Sequence, residues 1–224
     1  MSVAGERLPV VVLISGRGSN LRALVTEAQA GRLSVEVRAV VSDRADAAGL
    51  EWARRMGVHC VALSPREFPD RERYDQALGA LVASFEPGLV VLAGFMRILG
   101  PAFVDRFLGR MVNIHPSLLP RHRGLHTHRR VLEAGEREHG ASVHFVTREL
   151  DGGPVVLQAR VPVRDGDDEV TLAARVLGQE HRIYPAAIGW FATGRLRYDD
   201  GAAWLDGHRL DAPLVIDAAD EIPA

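Results

Sequence analysis

The sequence has little of what marks several large classes of protein. Its single cysteine, Cys60, excludes an internal disulfide and any cysteine-rich metal site. No apolar run approaches the ~20 residues that a membrane-spanning helix needs, and the N-terminal residues lack the apolar core of a signal peptide. The formal net charge is -2, so the chain lacks the overall positive field that nucleic-acid binders usually carry. These absences predict a cytoplasmic protein with neither a membrane nor a nucleic-acid partner.

What is present is typical of a globular protein. The chain has 224 residues, of which 47% are hydrophobic and 25% charged. This length suits one well-buried domain and is short for two. We therefore expect a single domain over residues 1–224, with flexible ends at 1–8 and 212–224.

Apolar, β-branched runs alternate with helix-like segments in the first half of the chain, which favours an α/β fold. Later strands follow one another with fewer helices, and Asp206-Gly207 predicts a hairpin. We expect a mostly parallel twisted sheet flanked by helices, Rossmann-like, with antiparallel strands and a hairpin toward the C-terminus. Strands are predicted over residues 9–15, 35–42, 58–63, 89–93, 111–115, 142–146 and 155–163, and helices over 21–31, 47–56, 70–85, 101–108, 127–134 and 169–192.

Local signals refine four of these elements. Pro162 favours an edge position for its strand. Pro185 predicts a break in the last helix. Asp70 and Thr127 are the predicted N-caps of their helices, because short polar side chains can accept hydrogen bonds from a helix's first N–H groups.

The most informative stretch runs over residues 111–128. Asn113 and His115 are two apart in a short strand, so their side chains point to the same face. Pro116 and Pro120 end the strand, which places the pair at its carboxyl end, where open α/β sheets bind ligands. Taken alone, an Asn and a His beside a proline-rich turn are more often loop-capping residues than catalysts.

A glycine-containing turn follows the first strand and precedes a helix. Gly16 and Gly18 let the backbone come close to a ligand, and Ser19 and Asn20 can add side-chain hydrogen bonds. Free N–H groups at a helix N-terminus bind anions such as phosphate. A plain turn with an N-cap explains the same residues, so both interpretations stay open here.

Two further features have ligand-binding potential. The segment 94–99 follows a buried strand and combines apolar side chains with main-chain groups, which suits a flat heterocycle. A buried connector is the simpler interpretation of that segment alone. Arg71 lies in the first turn of a helix, where a cation opposes the helix dipole. It is either an ordinary surface residue or an anion-binding one.

Asp151 lies in a turn-forming loop and joins Asn113 and His115 as a third polar group near strand ends. A carboxylate orients a nearby imidazole and stabilises its charged form, while an amide N–H donates to a developing oxyanion. These loops contain no nucleophile in a clear activating setting; Ser117 lacks the surrounding nucleophile-elbow pattern. The chemistry that fits is attack by a substrate's own nucleophile on a carbonyl carbon.

Metal binding is the competing use of the histidines. His126 and His128 are two apart, with His115, His122 and Asp151 close in sequence or in the predicted fold. This spacing is compatible with zinc, but the chain contains no standard zinc motif such as H-E-x-x-H. We expect no metal.

Four motifs together carry a resemblance to a known family. They are SGRGSN, NIHPSLLP, RGLHTH and ELDGG, which begin at residues 15, 113, 123 and 149. With them the chain resembles the phosphoribosylglycinamide formyltransferases, folate-dependent enzymes of purine biosynthesis, from about Val10 to Leu210. NIHPSLLP with a later LDGG is typical of the wider formyltransferase superfamily. The early SGxGSN is typical of the member that binds a ribosyl phosphate.

The resemblance implies catalytic and ribonucleotide-binding residues. Asn113, His115 and Asp151 would be catalytic, with no metal required. The substrate would be glycinamide ribonucleotide, bound by a monomer or a homodimer. Its phosphate and ribose hydroxyls would be held by Gly18, Ser19 and Asn20 and by Glu180, respectively.

The resemblance also implies a folate site. The co-substrate would be 10-formyltetrahydrofolate, which supplies the formyl group. The residues implied in its binding are Arg71, Met96, Arg97, Ile98, Leu99, Asn113, His144, Thr147, Arg148, Glu149, Leu150 and Asp151.

The chain departs from the family pattern at two places. At Arg121-His122-Arg123, many relatives have an aromatic residue or a proline before the glycine. The residues Met1 to Leu8 are also unmatched. The first departure bears on how its loop closes, and neither departure is expected to touch Asn113, His115 or Asp151.

Three alternatives from other classes are weaker. A formyltetrahydrofolate deformylase would carry an additional N-terminal domain and lack the GxGSN turn. A methionyl-tRNA formyltransferase would need a C-terminal tRNA-binding domain and a basic surface. A non-catalytic nucleotide-binding regulator would have no reason to keep Asn113, His115 and Asp151 together.

Overall fold

The computed structural model describes residues 7–222. The strands, numbered in chain order, are β1 (Leu8–Ile14), β2 (Val35–Ser42), β3 (Cys60–Ala62), β4 (Leu89–Leu92), β5 (Met111–His115), β6 (Glu138–Phe145), β7 (Val155–Pro162), β8 (Leu196–Asp199), β9 (Ala202–Leu205), β10 (His208–Arg209) and β11 (Leu214–Asp217). The helices are α1 (Ser19–Gln29), α2 (Ala48–Arg55), α3 (Arg71–Ser84), α4 (Pro101–Arg106), α5 (Thr127–Glu133) and α6 (Glu169–Ala192), with a single 3-10 turn at Pro65–Glu67.

Eight strands form one mixed sheet in the order β11-β7-β6-β5-β4-β1-β2-β3. Strands β1 to β5 are mutually parallel, whereas β6 runs antiparallel to both β5 and β7. A separate three-stranded sheet, β10-β9-β8, contains the hairpin predicted at Asp206-Gly207. The predicted fold class is therefore confirmed.

Strand β1 lies between β2 and β4. After β1 the chain adds β2 and β3 toward one edge of the sheet, and it then continues with β4 on the other side of β1. Such a reversal opens a crevice at the carboxyl ends of the strands. Alternate residues of β1 face opposite sides: Val10 and Val12 pack with α1 and α6, and Val11 and Leu13 pack with α3 and α4. The two hydrophobic cores pack on opposite faces of the sheet. The crevice lies outside both cores, at the carboxyl ends of the strands.

The last helix is continuous, so the break predicted at Pro185 is wrong. Proline removes one main-chain donor and crowds the preceding turn. Tyr184 and Ile188, on either side of Pro185, are both buried against the sheet. Their packing holds the helix on both sides of the proline and offsets the missing hydrogen bond. Within the described part of the chain, no helix combines the length and apolar content needed to cross a membrane.

Strand β7 is not the edge strand that Pro162 predicted, because β11 pairs with it in parallel. That pairing ends at Arg160, so the missing N–H of Pro162 lies beyond it. Strand β11 also lies within the stretch 212–224 that the sequence predicts as a flexible end. Ile216 is buried, and Arg160 binds Asp217 at 2.9 Å, which together hold the strand on the sheet. Of the predicted flexible start 1–8, residues 1–6 lie outside the described residues.

Candidate active site

Asn113 and His115 occupy the end of β5, where they face polar residues from two other segments. The pairing with β6 sets Asn113 opposite His144. His115 Nδ1 lies 3.6 Å from Asp151 Oδ2, and His144 Nε2 lies 3.8 Å from Asp151 Oδ1. The structure thus brings together the three residues expected to be catalytic and adds His144 beside them.

His144 fixes the orientation of the Asn113 side chain. Its Nδ1 lies 2.9 Å from the Phe145 carbonyl oxygen, which can only accept, so Nδ1 carries the proton. Burial lowers the pKa of His144, which keeps the ring neutral and leaves Nε2 as an acceptor. Asn113 Nδ2 donates to that Nε2 at 3.1 Å. One amide hydrogen is therefore held by His144, and the second is available to a ligand.

His115 is nearly fully buried and has an oxygen atom near each ring nitrogen. Its Nε2 lies 3.0 Å from the His122 carbonyl oxygen, which can only accept a hydrogen bond. Nε2 therefore carries a proton in either charge state. The other ring nitrogen, Nδ1, faces Asp151.

Asp151 is held in place by its loop. Its φ of 48° is in the left-handed region, which aspartate adopts more readily than most residues. Its Oδ2 accepts a hydrogen bond from Gly124 N–H at 2.8 Å. A side chain at Gly153 would place Cβ 2.0 Å from the Phe145 carbonyl oxygen, so only glycine lets the loop pack against β6. The LDGG sequence therefore sets the position of the carboxylate.

A cleft opens beside these residues. Two segments predicted to bind folate, 97–99 and 147–151, form its walls, and the side chains of Leu92, Phe95, Val104 and Val146 make it apolar. The predicted folate-binding residues that line it are Arg97, Ile98, Leu99, Asn113, His144, Thr147, Arg148, Glu149, Leu150 and Asp151.

Met96 and Arg71 lie outside this lining. Met96 is 68% exposed, and its N–H donates to Ser15 Oγ at 2.8 Å. Arg71 Nη2 donates to the Ile98 carbonyl oxygen at 2.8 Å, so it supports the main chain of the cleft wall. Asp70 caps α3 as predicted, by accepting from Arg73 N–H at 2.8 Å.

The turn between β1 and α1 has the geometry of an anion site. Gly18 precedes the helix with a φ of 69°, in the left-handed region that favours glycine. A Cβ there would also lie 3.0 Å from the Gly49 Cα, so α2 packs closely behind the turn. Ser19 and Asn20 form the first turn of α1, where main-chain N–H groups have no partner within the helix.

Asn20 joins this turn to the far end of the chain. Its Nδ2 donates to Glu180 Oε2 at 2.6 Å, and both residues are buried. Burial raises the pKa of Glu180, although the hydrogen bond from Asn20 opposes that shift. One turn later, Tyr184 Oη lies 2.8 Å from the Leu92 carbonyl oxygen and 3.1 Å from that of Val112. The tyrosine anchors α6 across β4 and β5, which brings Glu180 to the crevice.

The histidines considered for a metal site are engaged elsewhere. His122 Nε2 lies 2.8 Å from Glu136 Oε1, and His128 Nδ1 lies 3.0 Å from His139 Nε2. Burial lowers the pKa of His128 and lowers that of His139 to about 3. Among residues 7–222, no group of three or more His, Cys, Asp or Glu side chains is arranged to hold a metal ion.

Sequence reasoning missed the loop that contacts the catalytic residues. His122 was considered only as a possible metal ligand and as part of a departure expected not to touch the catalytic residues, and that expectation is wrong. Gly124 was not singled out. Both residues act through main-chain atoms, which leave no signal in side-chain chemistry. The N-cap of α5 is His126, with a φ of 58°, rather than the predicted Thr127. Thr127 is buried in the first turn of the helix instead.

The chain is similar in sequence and fold to proteins of one family. Residues 8–188 match the formyl transferase family. The phosphoribosylglycinamide formyltransferase of Escherichia coli is 57% identical over 201 residues, which cover 90% of this chain and 95% of that protein. The structure of a phosphoribosylglycinamide formyltransferase from Coxiella burnetii matches with a TM-score of 0.90 at 49% identity, covering 94% of this chain and 99% of that one.

A longer relative extends the comparison. The trifunctional purine biosynthetic protein adenosine-3 of Homo sapiens is 42% identical over 86% of this chain and 19% of its own length. The stretch that matches the family, residues 8–188, includes the β1–α1 turn, the end of β5 and the Asp151 loop. The chain therefore belongs to the phosphoribosylglycinamide formyltransferases.

Proposed function

We propose that the chain transfers the formyl group of 10-formyltetrahydrofolate to the amine of glycinamide ribonucleotide. The observation that carries this proposal is the position of the three polar residues beside the cleft. Asn113 and Asp151 line the cleft, and His115 Nδ1 is 3.6 Å from Asp151. Hydrogen-bond donors and a proton-handling pair thus meet where a bound formyl group would be attacked.

The ribonucleotide occupies the crevice at the ends of β1 and β4. Gly18, Ser19 and Asn20 hold its phosphate, because first-turn N–H groups and the helix dipole favour an anion. Glu180 accepts hydrogen bonds from its ribose hydroxyls. The close contact between Asn20 and Glu180 supports this arrangement, since it places the two subsites side by side.

The folate occupies the cleft between the 97–99 and 147–151 segments. Main-chain groups of both segments bind the edge of its heterocycle, while Phe95 and Val104 pack on its apolar faces. Arg71 is placed at the outer rim of this site. Its side chain is 55% exposed, so its guanidinium is accessible to the folate's carboxylates while Nη2 binds Ile98.

The reaction is a direct transfer between the two substrates. The neutral amine of the ribonucleotide attacks the formyl carbon, a C–N bond forms, and the carbonyl oxygen becomes an oxyanion. The free N–H of Asn113 and the protonated His115 stabilise that oxyanion. Asp151 stabilises the imidazolium and, through water, helps to move the proton released by the amine to the folate nitrogen as its C–N bond breaks. Each oxyanion donor is worth about 3 kcal/mol of transition-state stabilisation.

The test is a formyl-transfer assay with 10-formyltetrahydrofolate, run with and without glycinamide ribonucleotide. We expect folate release that depends on the ribonucleotide and that falls on the order of 100-fold or more in Asn113→Ala and His115→Ala. Equal release without the ribonucleotide would identify a hydrolase. Binding of the ribonucleotide without turnover would identify a non-catalytic binding protein.

A further inference from the structure

The segment 121–124 lies against the catalytic pair, His115 and Asp151. We propose that His122 is a positioning residue for the formyl transfer: anchored by Glu136, it fixes the main-chain groups that hold His115 and Asp151. This inference rests on the proposed function and adds to it a residue that acts from outside the cleft.

The main chain of the segment contacts both members of the pair. The His122 carbonyl oxygen lies 3.0 Å from His115 Nε2. Two residues later, Gly124 N–H donates to Asp151 Oδ2 at 2.8 Å. His115 and Asp151 are themselves 3.6 Å apart, so a small displacement of the segment changes the distance and angle between them.

The side chains of the segment determine where that main chain lies. The His122 ring is 13% exposed, and its Nε2 binds Glu136 Oε1 at 2.8 Å. Arg121 Nη2 binds the other oxygen of the same carboxylate at 2.5 Å. Arg123 binds Glu149, and Arg130 Nη1 donates to the Arg123 carbonyl oxygen at 2.7 Å. Glu136 follows α5, so its carboxylate ties the segment to that helix.

The anchor also holds a left-handed backbone conformation, which is uncommon in residues other than glycine. His122 has a φ of 54°, in the left-handed region, where its carbonyl points at His115. Without the bond to Glu136, the residue can relax to an ordinary conformation, which turns the carbonyl away. His115 Nε2 then loses its acceptor, and the proton of the neutral ring is no longer confined to Nε2.

This effect differs from a loss of substrate binding. Neither His122 nor Glu136 lines the cleft, and neither belongs to the β1–α1 turn. Loss of the anchor therefore acts mainly on the tautomer and position of His115, which is not among the residues that line the cleft. A positioning role predicts a lower kcat at nearly constant KM.

The experiment compares Glu136→Ala and His122→Phe with two matched variants. Glu136→Gln keeps an oxygen that accepts from His122 Nε2 and is the rescue variant. Glu169→Ala breaks the exposed ion pair between Glu169 and Arg129 of α5, 3.3 Å apart, and is the control. For each protein, kcat, the KM of both substrates and the thermal midpoint are measured. Histidine ring ¹H–¹⁵N spectra of the free protein report the tautomer of His115.

We expect kcat to fall about 10- to 100-fold in Glu136→Ala and His122→Phe, as for other small displacements of catalytic groups, with each KM within about threefold of wild type. Glu136→Gln recovers most of the activity, and Glu169→Ala matches wild type. The His115 spectrum shows a proton fixed on Nε2 in wild type and tautomer averaging in Glu136→Ala.

Three results would overturn the proposal. They are an unchanged kcat in both test variants, a rise in KM without a fall in kcat, and an unchanged His115 spectrum in Glu136→Ala. If wild type transfers no formyl group, the proposed function fails, and the spectra decide the positioning role independently.

Discussion

Asn20 Nδ2 donates to Glu180 Oε2 at 2.6 Å, a bond that joins α1 to α6 across 160 positions of the sequence. The bond directly connects the first helix to the last helix, so residues far apart in the sequence lie side by side at one proposed subsite. Because both side chains are buried, the bond contributes to stability, and under the proposed function it also shapes the ribonucleotide subsite.

Asn20→Ala should lower the free energy of unfolding and weaken ribonucleotide binding. Removing the donor leaves the Glu180 carboxylate buried without it, which costs about 1–3 kcal/mol. We expect the KM of the ribonucleotide to rise while that of the folate stays constant, measured by steady-state kinetics beside urea denaturation. Equal increases in both KM values would contradict the assignment of Asn20 to the ribonucleotide.

The His128–His139 pair predicts acid-sensitive stability. An unfolded histidine has a pKa near 6.5, whereas burial lowers the pKa of His139 to about 3 in the folded chain. Between these values the unfolded chain binds more protons, so the contribution of the pair to stability is complete above pH 6.5 and is lost as the pH falls toward 3.

The measurement is the free energy of unfolding in urea between pH 7.5 and pH 4.5. A single group of this kind contributes a slope of up to ~1.4 kcal/mol per pH unit. His139→Gln should therefore lose stability less steeply with acid than wild type does. His208→Gln, which removes an exposed histidine, should keep the wild-type slope. Parallel curves for wild type and His139→Gln would show that the ring does not titrate as proposed.

Gly153→Ala should displace the Asp151 loop. The added Cβ would lie 2.0 Å from the Phe145 carbonyl oxygen, a distance that requires main-chain movement. We expect a higher KM for the folate, a lower kcat and an unfolding free energy reduced by about 1–3 kcal/mol, as for other overpacked positions.

Gly178→Ala is the matched stability control. It lies within α6, and its Cβ would meet nothing within 4 Å. This change should raise the unfolding free energy by up to about 1 kcal/mol, because alanine favours the helix. If both glycine variants behaved alike in stability and in folate KM, the close packing of the Asp151 loop would not explain the LDGG sequence.

Removal of metal ions should leave formyl transfer unchanged. The proposed oxyanion donors are N–H groups of Asn113 and His115, and His122 and His128 are bound to Glu136 and His139. The check is activity after dialysis against EDTA, with and without added zinc. Loss of activity on dialysis and its return with zinc would require a metal in the mechanism.

The sequence predicts the fold best where the type of a residue determines the local structure around it. The β-branched run of β1 and the prolines after His115 were sufficient to place a strand and its carboxyl end. Because residues two apart in a strand share a face, Asn113 and His115 were then predicted to lie on the same side of β5. Asp151 was grouped with them only as a third polar group near strand ends, because its closeness to His115 arises from a loop far along the chain.

What sequence reasoning missed depends on contacts between distant segments. Pro185 signals a break, but the burial of Tyr184 and Ile188 keeps α6 continuous. Strand β11 is short, and its extended conformation depends on parallel pairing with β7. The His122 carbonyl acts on His115 through a main-chain atom that any residue possesses, so no side-chain pattern marks it.

The antiparallel pairing of β5 with β6 limits which insertions and deletions the chain tolerates. Opposite residues of such a pair share a face, so Asn113 meets His144 only while their register is kept. Inserting one residue into β6 before His144 would turn its ring to the other side of the sheet. Against β7, the register already shifts between Val143 and His144, so irregularity is accommodated on that side. Length variation in this part of the molecule should therefore be confined to the loop between β7 and α6, while β6 keeps its length.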